Sequence, residues 1–386
     1  MKAYILDISG KTLNYDFALY NAIRIKSSEE DDIKLFISNS PKKLADENII
    51  RLLRLIPACF YNSDHVVKRS IKAIEGIFNY IYFIFVCFAS RPDIIHFQWL
   101  PFLEVAGIES FFLKAIHVLS PKTRFILTVH NVYPHNMSQE AKGKYRKRFD
   151  HTVQAIDALV VHTSITKDDL IRDFNVTGKD VFVVPHGVFI PKGSSPTPWQ
   201  GVPKGKWNLI MYGNQSYYKG TDILVNAMRL LPKDIKSRIK LTICGNTPAP
   251  YYEQLKDIET GVEIRWIPTF VEDEVLYPMI ATSDIILLPY REISQSGVLL
   301  LALHFRRAVI ASDLPSFKET LCGFTEDMFC RAGDEASLAE VISNYMSGRV
   351  DIDKQLELID RLNIKYSWAE SARLTLDLYQ SLCRVS

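Results

Sequence analysis

Along the first half of the chain, short apolar and β-branched runs alternate with longer amphipathic stretches. This is the rhythm of helices crossing over between parallel strands. It predicts strands at residues 3–9, 33–38, 93–98, 124–130, 158–162 and 181–185. Several carry apolar residues on both faces, as buried parallel strands should. Residues 191–206 (PKGSSPTPWQGVPKGK) are too rich in Pro, Gly and Ser to sustain a helix or a central strand. A second series follows at 209–212, 240–244, 263–267, 284–289 and 308–311. The expected fold is α/β: two Rossmann-like, doubly wound parallel-sheet domains over residues 1–190 and 207–365, with 191–206 as linker. In residues 366–386, Ser367 stands three before Glu370, a capping-box spacing, and apolar residues follow at helical intervals. One closing helix is expected there.

Composition narrows the picture. The length of 386 residues suits two domains, and 47% hydrophobic with 23% charged residues is the make-up of a globular protein. A net charge of +2 argues against nucleic-acid binding, which needs a strongly basic face. The six cysteines are scattered without a C-x-x-C pair, so they read as reduced thiols of a cytoplasmic protein. The start, MKAYILDISGKTLN, reads as a first strand instead of a signal peptide. The apolar run at 77–89 (IFNYIYFIFVCFA) is shorter than the ~20 residues needed to span a bilayer, and a helix buried between the sheet and its neighbours is expected.

In open α/β sheets ligands bind beyond the carboxyl ends of the strands, and three segments place polar chemistry there. In MYGNQSYYKG a strand ends at Tyr212, Gly213 permits a tight turn, and Lys219-Gly220 leads into a helix. A lysine beside free helical N–H groups suits a phosphate, although a solvated surface lysine has the same spacing. In LLPYREISQSGVLLLAL the small residues Ser294, Gln295, Ser296 and Gly297 precede an apolar helix. They let backbone N–H groups approach a diphosphate, or simply cap the helix. In LTVHNVYPHN, His130 ends a strand, with Asn131, His135 and Asn136 in its loop. The strand ending in His96-Phe97-Gln98-Trp99 adds an amide and an aromatic face suited to a sugar. Pro185-His186-Gly187 is either a hinge turn or a ligand contact.

A strand ending in T-V-H, then P-H-G, Y-K-G after the linker, Cys244-Gly245, and P-Y-R-x-x-x-Q-S-G before a Leu-rich helix occur in that order. In this combination the chain resembles family 4 of the retaining glycosyltransferases over nearly its whole length. The resemblance implies a GT-B fold whose N-terminal domain holds the acceptor, with His96, Gln98, Trp99 and Asn131 as candidate contacts. It implies that the C-terminal domain holds a nucleotide-sugar. Lys219 would bind the diphosphate, and Gln295, Ser296, Gly297 and Val298 would do so through their backbone. Gly213 and Asn214 would shape the same loop, Pro268-Thr269-Phe270 would cradle the base, and His130 would sit beside the transferred sugar. Two departures stand out. Asn214 occupies a place where members commonly carry Arg, and Ile293 and Leu301 align with two expected glutamates, leaving Glu292 as a neighbouring substitute.

The reaction so implied is retaining transfer from a UDP- or GDP-sugar to a glycan or polyprenyl-diphosphate-linked acceptor, in capsule or exopolysaccharide synthesis. Lys219 and the helix start would stabilise the leaving diphosphate. Neither a metal nor a cofactor is expected, and Asp351-Ile352-Asp353 reads as a helix cap. The cluster Lys142, Lys144, Arg146, Lys147, Arg148, with Tyr145 and Phe149 expected to be exposed, suits peripheral contact with an anionic membrane or a merely solvated helix. Two other readings remain: a catalytically inactive homologue serving as a partner subunit, and a sugar-nucleotide epimerase. The latter needs a pair of acid/base carboxylates that the sequence does not identify.

Overall fold

The computed structural model describes residues 1–38, 46–55, 66–104, 106–134, 137–176, 180–189, 201, 203, 205–293 and 296–384. His135, Asn136, Ser294, Gln295 and most of the anticipated linker lie outside the described residues. The chain divides into two compact units, Met1–Gly187 with Trp368–Ser386, and Val188–Ser367.

Among the described residues the first unit is built on seven strands: β1 (Lys2–Asp7), β2 (Asp32–Ile37), β3 (Ile49–Arg51), β4 (Ile94–Trp99), β5 (Arg124–Thr128), β6 (Ala158–Val161) and β7 (Asp180–Val183). All pairings are parallel in the order β3-β2-β1-β4-β5-β6-β7. The order therefore reverses between β1 and β4, where such sheets open for ligands. β3 escapes the sequence pattern because three edge residues, paired only to β2, carry no periodicity.

Alternation along the strands builds two separate cores. Ala3, Ile5, Ile33, Leu35, Ile126 and Val160 face the helices Leu13–Lys26 and Trp368–Arg384. Tyr4, Leu6, Phe36, Phe97, Phe125 and Leu159 face Val66–Ser90, Glu109–Leu119 and Gln139–Val153. The closing helix thus completes the first unit. Its Trp368 ring lies so close to Gly187 that a Cβ there would stand 2.4 Å from it, and Ser371 Oγ donates to the Pro185 carbonyl at 2.6 Å.

Two expectations need correction. The apolar run at 77–89 belongs to a helix of 25 residues, and the stretch Ser70–Ser90 is long and apolar enough to cross a membrane by length and composition. It is not buried all round: Tyr80, Phe83 and Cys87 reach the core while Phe78, Phe85 and Phe88 are exposed. Asn79 faces inward, its amide donating to Leu53 O at 2.9 Å and accepting from Leu53 N at 2.8 Å. Tyr145 and Phe149 are also buried, not exposed, because they lie four apart on the core face of a helix whose cations point outward.

Among the described residues the second unit has six parallel strands: β8 (Trp207–Tyr212), β9 (Ile239–Cys244), β10 (Glu263–Ile267), β11 (Ile285–Leu288), β12 (Ala308–Ser312) and β13 (Phe329–Cys330). Their order is β10-β9-β8-β11-β12-β13, again reversing beside the first strand. Asp351 caps the helix Ile352–Lys365, its carboxylate accepting from Lys354 N at 3.0 Å.

Candidate functional site

In the second unit the chemistry gathers at the carboxyl ends of β8 and β11. Beyond Tyr212 the chain turns at Gly213 and forms the single turn Tyr217–Lys219 before the helix Thr221–Leu230. Gly220 joins the two with φ 72°, and a Cβ there would stand 2.0 Å from the Pro289 carbonyl oxygen, so glycine is required. The turn folds Lys219 back over the strand end. A Cβ on Gly213 would lie 3.0 Å from Lys219 Nζ and 3.2 Å from Val298 Cγ2, so Gly213, Lys219 and Val298 meet at one point. Lys219 is only 6% exposed, and its ammonium lies 5.5 Å from the centre of the Tyr290 ring. Among the described residues no carboxylate pairs with it. Burial lowers its pKa to about 8, which leaves it mostly charged at neutral pH. Beside it starts the helix Gly297–His304, capped by Ser296, whose Oγ accepts from Leu299 N at 3.1 Å. The first turn of a helix leaves N–H groups that the helix itself does not use, here those of Gly297 and Val298.

The supports of this loop were not singled out in the sequence. Gln215 is buried and donates to Gly213 O at 2.7 Å and Cys244 O at 3.1 Å, while Thr221 Oγ1 donates to its Oε1 at 2.7 Å. On the outer side, Arg291 grips Asp222 with two bonds of 2.8 and 2.6 Å and donates to Tyr217 O at 2.7 Å. Tyr251 adds its hydroxyl to Asp222 at 2.7 Å. The Arg291 of P-Y-R therefore fixes the turn that aims Lys219. Its sequence signal was present, but its partner lay 69 residues away.

Of the other donor candidates, Asn214 and Glu292 are exposed, as are Thr269 and Phe270 past the end of β10. Thr247 N donates to Pro268 O at 3.1 Å, holding that segment against the β9 end. Leu301 packs against the core of the unit. Gln295 lies outside the described residues.

The first unit's edge is different in kind. His130, His162 and His186 follow the ends of β5, β6 and β7, and Tyr15 sits among them with ring centres 4.8, 5.2 and 5.2 Å away. Trp368 closes the group at 5.3 Å from Tyr15. The hydrogen bonds fix the protons. His162 Nδ1 meets Val184 O at 3.0 Å, and a carbonyl only accepts, so this nitrogen carries the hydrogen. Burial lowers the His162 pKa to about 4, so the ring is neutral and its Nε2 accepts from His130 Nδ1–H at 3.1 Å. His130 is held well below its usual pKa, first by burial and then by the neighbouring imidazoles. Its Nε2 is consequently a bare lone pair, and it finds no partner among the described residues.

Around His130 lies a pocket lined by Trp99, Leu103, Glu104, Asn131 and Tyr145, among others. Trp99 stacks on His130 at 6.1 Å and carries Lys11 Nζ over its own ring at 4.5 Å. Lys11 also pairs with Glu104 at 2.7 Å, and Arg148 donates to Glu104 O at 2.7 Å. Asp7, at the end of β1, organises the preceding loop by accepting from Ser9 N, Ser9 Oγ and Gly10 N at 2.8, 2.6 and 2.9 Å. Trp99 and Asn131 thus join His130. His96 does not: both its ring nitrogens are taken, by Tyr379 at 2.8 Å and Thr128 at 2.7 Å, and it braces the closing helix. Gln98 is fully buried, with both amide atoms lacking partners among the described residues. His162 was overlooked because it reads only as a strand end. Among the described residues no three His, Cys, Asp or Glu side chains gather where a metal ion could be held.

The fold and its two strand-end sites define a two-unit Rossmann-type protein of GT-B architecture. Residues 28–190 match the family model described as Glycosyltransferase Family 4, and residues 206–347 match Glycosyl transferases group 1. The two models together take in most of the chain, and it belongs to this glycosyltransferase family. It is 24% identical over 233 residues to GDP-mannose:glycolipid 4-beta-D-mannosyltransferase of Xanthomonas campestris pv. campestris, covering 58% of this chain and 62% of that relative. It is 24% identical over 309 residues to D-inositol 3-phosphate glycosyltransferase of Arthrobacter sp. (strain FB24), covering 75% of this chain and 71% of the relative. Among solved structures, that of Anabaena HepE in complex with UDP superposes with a TM-score of 0.63 at 12% identity, over 99% of this chain and 100% of the other. That likeness is one of fold.

Proposed function

We propose that the second unit binds a UDP- or GDP-sugar and that the sugar passes to a lipid-linked glycan acceptor held by the first unit. The product would be a surface polysaccharide such as capsule or exopolysaccharide, made at the cytoplasmic face of the membrane. One observation carries this reading: Lys219, a nearly buried ammonium with no carboxylate partner among the described residues, set beside Gly213 and the start of the helix Gly297–His304. A buried cation normally costs free energy unless an anion completes it, and a diphosphate does so while gaining backbone N–H donors. The names of the relatives support the substrate classes, since one acts on a glycolipid with GDP-mannose and a structural neighbour is seen with UDP.

Lys219 and the helix start would stabilise the charge that grows on the leaving diphosphate. No metal is then needed, and turnover would survive EDTA. The Nε2 lone pair of His130 is buried and of low basicity, poorly suited to removing a proton from a sugar hydroxyl. This favours transfer with retention. Calorimetry with UDP, GDP and their sugars, followed by release assays, tests the reading, and proton NMR of the product gives the anomeric configuration. Absence of nucleotide binding would favour a partner-subunit role instead, which the half-buried Leu301 packed against the core and the exposed Asn214 recommend.

A further inference from the structure

We propose that the outer face of the helix Val66–Ser90 is the surface on which this protein docks to an anionic lipid bilayer. Ile74, Ile77, Phe78, Ile81, Tyr82, Phe85 and Phe88 form one stripe at helical spacing, and all are exposed. Phe78, Phe85 and Phe88 are 56%, 67% and 52% exposed. At about 90 Å² each, roughly half of a large side chain, the stripe leaves on the order of 600 Å² of apolar surface open, the upper end of what monomers show. No charged residue occurs between Glu75 and Arg91.

Two observations select a bilayer as the occupant. First, the helices of this layer differ in character while packing side by side. Glu109–Leu119 packs on Val66–Ser90 and exposes Phe111 and Val118, and Gln139–Val153 packs on Glu109–Leu119 and exposes Lys144, Arg146 and Lys147. Apolar side chains and clustered cations in one layer complement acyl chains beneath anionic headgroups. Second, the helix adjoins the small pocket around His130. Gly76 lies against Phe102, where a Cβ would stand 2.7 Å from the ring, and Leu103 and Glu104 of the same loop line the pocket around His130. A lipid-linked acceptor would need such a neighbour. The helix lies on the membrane and does not span it, because Tyr80, Phe83 and Cys87 hold its other face in the core.

The inference rests on the lipid-linked reading of the acceptor, and its test separates the two. The whole chain is sedimented with vesicles of phosphatidylcholine alone and with 30% phosphatidylglycerol, alongside nucleotide calorimetry. The expected result is binding to the anionic vesicles, reduced at least tenfold by combining Phe78→Ser, Phe85→Ser and Phe88→Ser, and reduced severalfold by Lys144→Glu with Lys147→Glu. The melting temperature and nucleotide affinity of these variants should match those of the parent. Nucleotide binding without vesicle binding would overturn the docking face and leave the transferase reading intact. A concentration-dependent dimer in sedimentation equilibrium, abolished by the serine variant, would likewise overturn it in favour of a second copy. Vesicle binding without nucleotide binding would sustain the docking face while the transferase reading fell.

Discussion

The two sheets reverse their order at the same place, between the first strand and the fourth, yet their carboxyl edges carry opposite chemistry. The edge of the second unit holds a cation and free peptide N–H groups. The edge of the first holds three uncharged imidazoles around a tyrosine. Burial produces both. Desolvation disfavours whichever form is charged, but imidazole starts near pH 6.5 and loses its proton, while lysine starts near 10.5 and at about 8 still keeps it. One physical effect thus leaves one edge with neutral imidazoles and the other with a cation.

Removing the cation should break this contrast most severely. Lys219→Ala is expected to lower turnover by about 100- to 1,000-fold, the usual loss for a preorganised donor to a developing anion, and to weaken UDP or GDP binding in calorimetry. The pH dependence sharpens the point. A bound diphosphate favours the ammonium, so nucleotide affinity should decline as pH rises through about 8. The free protein should respond in the opposite sense. Between about 8 and the ordinary lysine pKa of 10.5 the unfolded chain binds more protons, so this group adds to stability as pH rises. Parallel trends in affinity and stability would show that Lys219 does not face the anion.

On the neutral edge, the tautomer is the point of attack. His162→Leu removes the acceptor that orients His130 Nδ1–H and should reduce kcat about tenfold with nucleotide affinity unchanged. His162→Gln returns an acceptor oxygen near the place of Nε2 and should restore part of the loss. If His130 serves as a lone pair and not as a proton carrier, kcat in the parent shows no step between pH 5 and 8. A step near 6.5 that moves in the leucine variant would instead identify a general base.

Asp222→Asn probes how firmly the cationic edge must be held. It keeps the shape but weakens the two charge-assisted bonds from Arg291, so the Tyr217–Lys219 turn loosens without losing its lysine. Nucleotide affinity should fall about tenfold in calorimetry, with the melting temperature little changed because the pair is partly exposed.

Much of this frame was legible in the sequence because the buried strands carry apolar residues on both faces. What escaped was information that a linear pattern does not contain. The edge strands β3 and β13 are too short for a period to register. The largely apolar run at 77–89 says that a helix forms, but not which face meets the sheet. Tyr145 and Phe149 show the converse: their spacing of four pointed inward, and the surrounding cations suggested otherwise. At the sites, Lys219 and His130 were visible as residues, whereas the burial that sets their charge was not. His162 acts only through a contact made across 32 residues of sequence.

Phe270 offers the finest test of the contrast, since it is the one donor candidate whose contribution would be apolar. It stands 68% exposed beyond β10, on a segment fixed to the β9 end by the bond from Thr247 N to Pro268 O. A flat ring so placed could cover one face of a nucleotide base. Stacking of this type contributes about 1 kcal/mol at an exposed site, so Phe270→Ala should weaken nucleotide affinity about fivefold. The loss should be shared by UDP and GDP, because every base has a face to stack. Inorganic pyrophosphate should bind the variant and the parent equally well. If pyrophosphate affinity fell with the rest, Phe270 would be shaping the charged edge, and the division between apolar and cationic contributions in the second unit would not hold.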